Sequence, residues 1–148
     1  MSLNRLAASA TNHCLTGCGI GEVLGIVLAT WWGWGDAASI ALAVALAFFF
    51  GYSLTLIPLL RAGTALGAAI GIALAADTLS IATMELVDNA VLLLWPGAMD
   101  AYLDDALFWI ALAIALAFAW GPTFLVNRAL IKRGKGHAHA HAAHGHAH

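Results

Sequence analysis

The sequence predicts an all-α integral membrane protein, a four-helix bundle with both termini in the cytoplasm. Of its 148 residues, 62% are hydrophobic and 9% are charged, whereas soluble domains carry about 25% charged residues. The apolar residues form long runs, and the basic residues lie at the ends of those runs. So few charges cannot cover a water-exposed surface, which excludes an ordinary cytosolic enzyme and a nucleic-acid binder with a basic face.

Four segments are long enough to cross a bilayer, which takes about 20 mainly apolar residues as a helix. Residues 37–60 and 106–127 contain no charge, whereas 13–34 and 64–95 contain acidic residues but are otherwise apolar. Alternating alanines in two of the segments resemble a strand period, but both phases are apolar, which argues against a transmembrane barrel. We therefore expect four spanning helices within a folded domain of residues 1–136.

The basic residues predict the orientation, because short cytoplasmic loops are enriched in Lys and Arg. Arg61 lies between the second and third segments, and four more basic residues follow the fourth segment. We therefore expect both termini inside a multi-pass protein of the inner membrane. The opposite ends carry the aromatic residues typical of an outer interface: Trp31, Trp32, Trp34, Trp95 and Tyr102.

Glycines recur at every fourth position in two places: Gly17, Gly21 and Gly25, and Gly63, Gly67 and Gly71. Small residues at this spacing allow two helix backbones to approach closely. Packing between helices of one chain is the favoured interpretation, and a homodimer or another homo-oligomer is the alternative.

The first segment places possible metal ligands on one helix face. Cys14, Cys18 and Glu22 are spaced four residues apart, with His13 beside them. Thiolate, imidazole and carboxylate groups bind zinc, copper(I) and neighbouring transition metals. Cysteine also packs as a small buried hydrophobe, and the spacing matches no established zinc motif, so both interpretations stay open.

The third segment carries Asp77, Met84, Glu85 and Asp88 on one helix face. A charged group near the bilayer centre costs at least about 2.5–3.5 kcal/mol, so these acids should face the bundle interior. Counting residues from the inner face, we expect Glu22 and Asp77 near mid-membrane, and Glu85 and Asp88 nearer the outer surface. Since no basic residue lies in the membrane beside them, a cation or protons must offset their charge. Protonated acids that only pack are the alternative.

The C-terminal tail, residues 137–148, is rich in histidine. Such a composition indicates flexible metal binding, and a tag or a merely soluble end is the alternative. The tail histidines are His137, His139, His141, His144, His146 and His148.

The segments HCLTGCGIGEVLG, FFFGYSLTLIPLLRAG, ADTLSIATMELVDNAVLLLWPGAMDA and LVNRALIKRGKGH resemble a family of small prokaryotic four-helix membrane proteins of unknown function. The HCxxGCxxGE motif and the acidic third helix are the distinctive stretches. The resemblance implies the fold and no activity.

These residues favour a transition-metal-ion binding or transport protein, with copper(I) or zinc preferred. Its partners would be the lipid bilayer and the metal ion, without nucleic acid. A membrane thiol redox protein is one alternative, and a non-catalytic subunit or scaffold with a proton-linked acidic site is another. No P-loop, dinucleotide fingerprint or nucleophile with a base is present, so we do not expect an enzyme.

Overall fold

The computed structural model describes residues 2–134, which form four helices and no strand. The helices are α1 (Leu3–Trp32), α2 (Asp36–Arg61), α3 (Leu66–Leu94) and α4 (Ala106–Lys132). Each is long and apolar enough to cross a membrane. The predicted all-α class is therefore confirmed, and all four helices have the length and hydropathy that the sequence predicted for membrane spans.

Consecutive helices run antiparallel because short connections join them, so α1 and α3 point the same way. Helix α1 contacts the other three helices, and it meets α3 across the middle of the bundle. We call the end at which α1 and α3 begin the arginine end, since Arg5, Arg61 and Arg128 lie there. The other end, with Trp31 and Trp95, is the tryptophan end.

Helix α1 begins ten residues before the span predicted from residue 13. The Ser2 hydroxyl accepts a hydrogen bond from the Arg5 amide (3.3 Å), which caps the helix. The added turns pack on α4: the Trp120 Nε1–H donates to Asn12 Oδ1 (2.9 Å) and the Arg128 Nε–H to Asn4 Oδ1 (3.0 Å). Polar residues extend this helix because their side chains find partners on the neighbouring helix.

The glycines of α1 pack against α2, as the sequence predicts for helices of one chain. Gly17 faces Gly51, Gly21 faces Ala47, and Gly25 faces Ala43. A Cβ atom added to Gly21 would lie closer than 3.0 Å to the Ala47 backbone. The contact is therefore between backbones, and it fixes the axial position of α1 on α2.

The second set of glycines does not pack in this way. Gly63 lies in the turn before α3 with φ +89°, where a side chain would be strained. A Cβ atom at Gly67 or Gly71 would meet no atom of the described chain within 4 Å. The sequence analysis expected both sets of glycines to pack against helices of the same chain, and this prediction is wrong for the second set.

The outward faces of the helices are apolar. Leu86 on α3 is 73% exposed and Phe118 on α4 is 69% exposed. Side chains of this kind are suited to contact with lipid. Among the described residues, the buried polar and acidic side chains instead lie on α1, α3 and α4, with Thr55 of α2 as the exception.

Candidate metal centre

Three acidic side chains meet between α1 and α3. Glu22 of α1 and Glu85 and Asp88 of α3 each offer one carboxylate oxygen, and these three atoms lie within 4.8 Å of one another. The side chains are almost completely enclosed, with exposed fractions of 1%, 4% and 0%. We call these three residues the acid cluster.

One amide side chain supports the acid cluster. The Asn89 Nδ2 group donates to Asp88 Oδ1 (3.1 Å), to Glu85 Oε2 (3.3 Å) and to the Glu85 carbonyl oxygen (2.8 Å). One oxygen on each carboxyl group has no hydrogen-bond partner in the described chain: Glu22 Oε2, Glu85 Oε1 and Asp88 Oδ2. Buried oxygen atoms of this kind are rare, because leaving them unpaired costs free energy.

Among residues 2–134, no Lys or Arg side chain lies at the level of the acid cluster. The basic residues of the described helices fall at the arginine end, in the first turns of α1 and the last turns of α2 and α4. Three like charges at contact distance in a low-dielectric interior repel one another strongly. Protons or a bound cation must therefore balance the charge of the acid cluster.

Two cysteines lie next to the acid cluster, toward the arginine end. The Cys14 and Cys18 sulfur atoms are 3.8 Å apart, and both side chains are buried with Met84 in one packed group. Cys18 adjoins the Glu85 side chain. The predicted alignment of Cys14, Cys18 and Glu22 on one face of α1 is confirmed, and soft sulfur donors adjoin hard oxygen donors.

His13 does not join this face. It is half-buried, and its Nε2 atom is hydrogen-bonded to Thr55 Oγ1 of α2 at 2.9 Å. Its ring therefore lies against α2, away from the position beside the thiols that the sequence suggested.

Asp77 is buried at a different level of α3 from the acid cluster. It precedes Asp88 by eleven residues, a distance of about 16 Å along the helix axis. The predicted placement of Glu22 and Asp77 at one depth is therefore wrong: Glu85 and Asp88 share the level of Glu22, whereas Asp77 lies nearer the arginine end. Helical periodicity places these acids on one face, but the axial register between α1 and α3 decides which of them meet.

A second group of polar side chains, which we call the polar layer, joins α1, α3 and α4. The Asn127 Nδ2 group donates to Thr11 Oγ1 (3.0 Å), and the Ser80 hydroxyl donates to Asn127 Oδ1. The Thr11 hydroxyl donates to the Ala7 carbonyl oxygen (2.7 Å). All three side chains of the layer are buried.

The sequence interpretation missed Asn89, Thr11 and Asn127. Asn127 carries a readable signal, since an amide within an apolar span needs a partner inside the bundle. Asn89 directly follows Asp88, so its amide was available as a donor to the neighbouring acids. The six tail histidines, by contrast, lie outside the described residues.

Comparison with known proteins supports the resemblance to a family of unknown function. A family model described as "Domain of unknown function (DUF4396)" matches residues 3–136. Comparisons with curated proteins and with solved structures found no match. Since the family model covers nearly the whole chain, the chain belongs to the DUF4396 family.

Proposed function

We propose that this protein binds a divalent transition-metal ion in the acid cluster and carries it across the inner membrane. The observation that supports this proposal is the set of three buried carboxyl groups, each with one oxygen that lacks a hydrogen-bond partner. Carboxylate oxygens are metal ligands, and a divalent cation together with one proton would balance the charge of three carboxylates.

Zinc is the ion that this donor set favours. Zinc accepts oxygen, nitrogen and sulfur ligands, whereas copper(I) prefers soft thiolate and thioether ligands. The atoms within mutual reach are carboxylate oxygens, and Cys18 adjoins them. A transition metal is preferred over magnesium or calcium because a thiol lies at the edge of the site.

The thiols have a role in the transport step of this proposal. Cys18 and Cys14 lie one and two turns further toward the arginine end than Glu22, and they pack with Met84, which directly precedes Glu85. An ion that leaves the carboxylates in that direction would next meet sulfur ligands. Metal binding displaces protons from its ligands, so the acid cluster would take up protons as the ion leaves.

The same proposal includes the orientation and the tail. Since Arg5, Arg61 and Arg128 lie at the arginine end, this end faces the cytoplasm under the positive-inside rule. Cys14, Cys18 and Glu22 of the HCxxGCxxGE motif would then serve as the family's metal-binding residues, and the histidines of residues 137–148 would collect metal on the cytoplasmic side. The protein would carry out no catalysis.

Two other functions have less support. A thiol redox protein needs sulfur atoms that a partner can reach, whereas Cys14 and Cys18 are 2% and 0% exposed. A scaffold with packing acids predicts co-purification of another membrane protein and no effect when Glu22 is replaced by Gln.

The binding test uses the full chain with the six tail histidines replaced by alanine, so that zinc held by the tail is not counted. After dialysis against zinc, elemental analysis should give one zinc ion per chain, and Glu22→Gln should remove it. Asp104→Asn, which changes an exposed acid outside the cluster, is the matched control and should retain the ion. Zinc-free protein, or a Glu22→Gln variant that still holds its zinc, would contradict the proposal.

Transport is tested separately in proteoliposomes that contain a zinc-sensitive dye. The unaltered chain should admit zinc faster than protein-free vesicles, and Glu22→Gln should remove the difference. A chain that binds zinc without admitting it would be a binding protein, and the transport part of the proposal would be wrong.

A further inference from the structure

A cavity of about 430 Å³ lies at the tryptophan end of the bundle. The last turns of α1 and α3, the first turns of α2 and α4, and the connection between α3 and α4 form its walls. Asp36, Asp100 and Tyr102 line the cavity and are exposed, so the cavity reaches the surface. It is large enough for a hydrated metal ion, since a water molecule takes up about 30 Å³.

The inner end of the cavity lies next to the acid cluster, on its tryptophan-end side. Ile26 follows Glu22 by four residues on α1, and Leu92 follows Asp88 by four residues on α3. Both side chains line the cavity and belong to one packed apolar group with Leu112. One helical turn, about 6 Å, therefore separates the inner end of the cavity from the acid cluster.

The chemistry of the cavity walls suits a cation. Two carboxylates, Asp36 and Asp100, and the hydroxyl groups of Thr30, Ser39 and Tyr102 line it, and no Lys or Arg is among its lining residues. A negatively charged concave surface raises the local concentration of cations.

The opposite approach to the acid cluster is packed with side chains. Cys14 and Cys18 lie on the arginine-end side of the acid cluster. Ile81 packs with them, and its Cδ1 atom fills the space beside Gly51. The polar layer follows, with hydrogen bonds that join α1, α3 and α4.

We propose that the cavity at the tryptophan end is the route by which the cation reaches the acid cluster, with Ile26 and Leu92 as the apolar gate between them. This proposal rests on the proposed function, because it requires a cation that binds to the acid cluster. The cavity receives the hydrated ion, and outward movement of the two gate side chains opens the last turn of the path. The gate keeps bulk water from the acid cluster when no ion passes.

The test blocks the cavity after the protein has folded. Thr30→Cys, made in the full-length chain whose six tail histidines are alanine, places a thiol on the cavity wall, and the purified variant is then labelled with a bulky maleimide. Zinc association is followed by stopped-flow fluorescence, and zinc affinity is measured at equilibrium. The label should slow association by about tenfold or more, which corresponds to a higher barrier on the path, and it should leave the affinity unchanged.

Leu94→Cys, labelled in the same way, is the matched control. Leu94 lies at the same end of the bundle, is 84% exposed and is not among the cavity-lining residues. Its label should not change the association rate. Unaltered protein treated with maleimide corrects for reaction at the buried native cysteines.

A second measurement tests the gate. Leu92→Ala shortens a gate side chain and should speed zinc association, whereas Leu93→Ala, its lipid-facing neighbour, should not. If zinc affinity is normal and neither the Thr30→Cys label nor Leu92→Ala changes the association rate, the proposed route is wrong. The proposed function would stand in that case. Absence of zinc binding in the unlabelled protein would overturn the proposed function and the route together.

Discussion

The polar layer and the acid cluster use the same two helix faces with opposite outcomes. In the polar layer, Asn127 of α4 bridges Thr11 of α1 and Ser80 of α3, so the side chains satisfy one another. In the acid cluster, about two turns away, Glu22 and Asp88 meet and each keeps an oxygen without a hydrogen-bond partner.

The difference follows from the chemistry of the groups. Hydroxyl and amide groups donate and accept, so a few of them can complete a network and fasten helices together. Ionised carboxylates only accept, and they repel one another. The polar layer can therefore stabilise the bundle by itself, whereas the acid cluster needs a proton or a cation from outside the chain.

The largest expected effect comes from breaking the acid cluster. Asp88→Asn removes one of its three carboxylates, so zinc affinity should fall at least about 100-fold, or about 2.8 kcal/mol. The free energy of unfolding should not fall, because the variant removes repulsion between buried acids. Calorimetric titration measures the affinity, and thermal unfolding in detergent measures the stability. Unchanged affinity would show that the acids only pack.

The glycine contact between α1 and α2 also bears on the acid cluster, since it holds Glu22 at the level of Glu85 and Asp88. Gly21→Ala would force a Cβ atom against the Ala47 backbone, and overpacking of this kind costs about 1–3 kcal/mol. Thermal unfolding should show this loss, together with weaker zinc binding. Gly71→Ala on α3 meets open space and should cause neither effect. Equal stability of the two variants would contradict the role of this contact.

Breaking the polar layer should affect stability alone. Asn127→Ala leaves the buried hydroxyls of Thr11 and Ser80 without their shared partner, at a cost of about 1–3 kcal/mol. Thermal unfolding should occur at a lower temperature than in the unaltered protein. Zinc affinity, measured below that transition, should not change. A large loss of affinity would place the polar layer in the metal pathway.

A smaller effect is expected from the amide beside the acid cluster. Asn89→Ala removes the donor to Glu85 and Asp88, so zinc affinity should fall about tenfold, as for other groups that orient metal ligands. Asn89→Gln, which keeps the amide, should restore part of the loss. If Asn89→Ala binds zinc as tightly as the unaltered chain, Asn89 does not orient these carboxylates.

The sequence predicted much of the fold and part of the candidate site. Cys14, Cys18 and Glu22 share one buried face of α1, as their four-residue spacing predicted. The sequence interpretation did not find the polar layer, because its three members come from three helices and no spacing within one segment relates them. Helix α1 also begins ten residues before the predicted span, and the sequence did not indicate this because the hydrogen bonds that hold Asn4 and Asn12 are made to α4.

The sequence by itself determined that four apolar helices form and that acids face the bundle interior, because length, hydropathy and helical period are properties of single segments. Only the tertiary structure decided that Glu22 meets Glu85 and Asp88 and that Asp77 lies elsewhere. Axial register depends on which backbones can touch, and here Gly17, set against Gly51 of α2, is part of the contact that sets the depth of α1. Because of that register, the acids that need a ligand and the polar layer that needs none lie at different levels of the bundle.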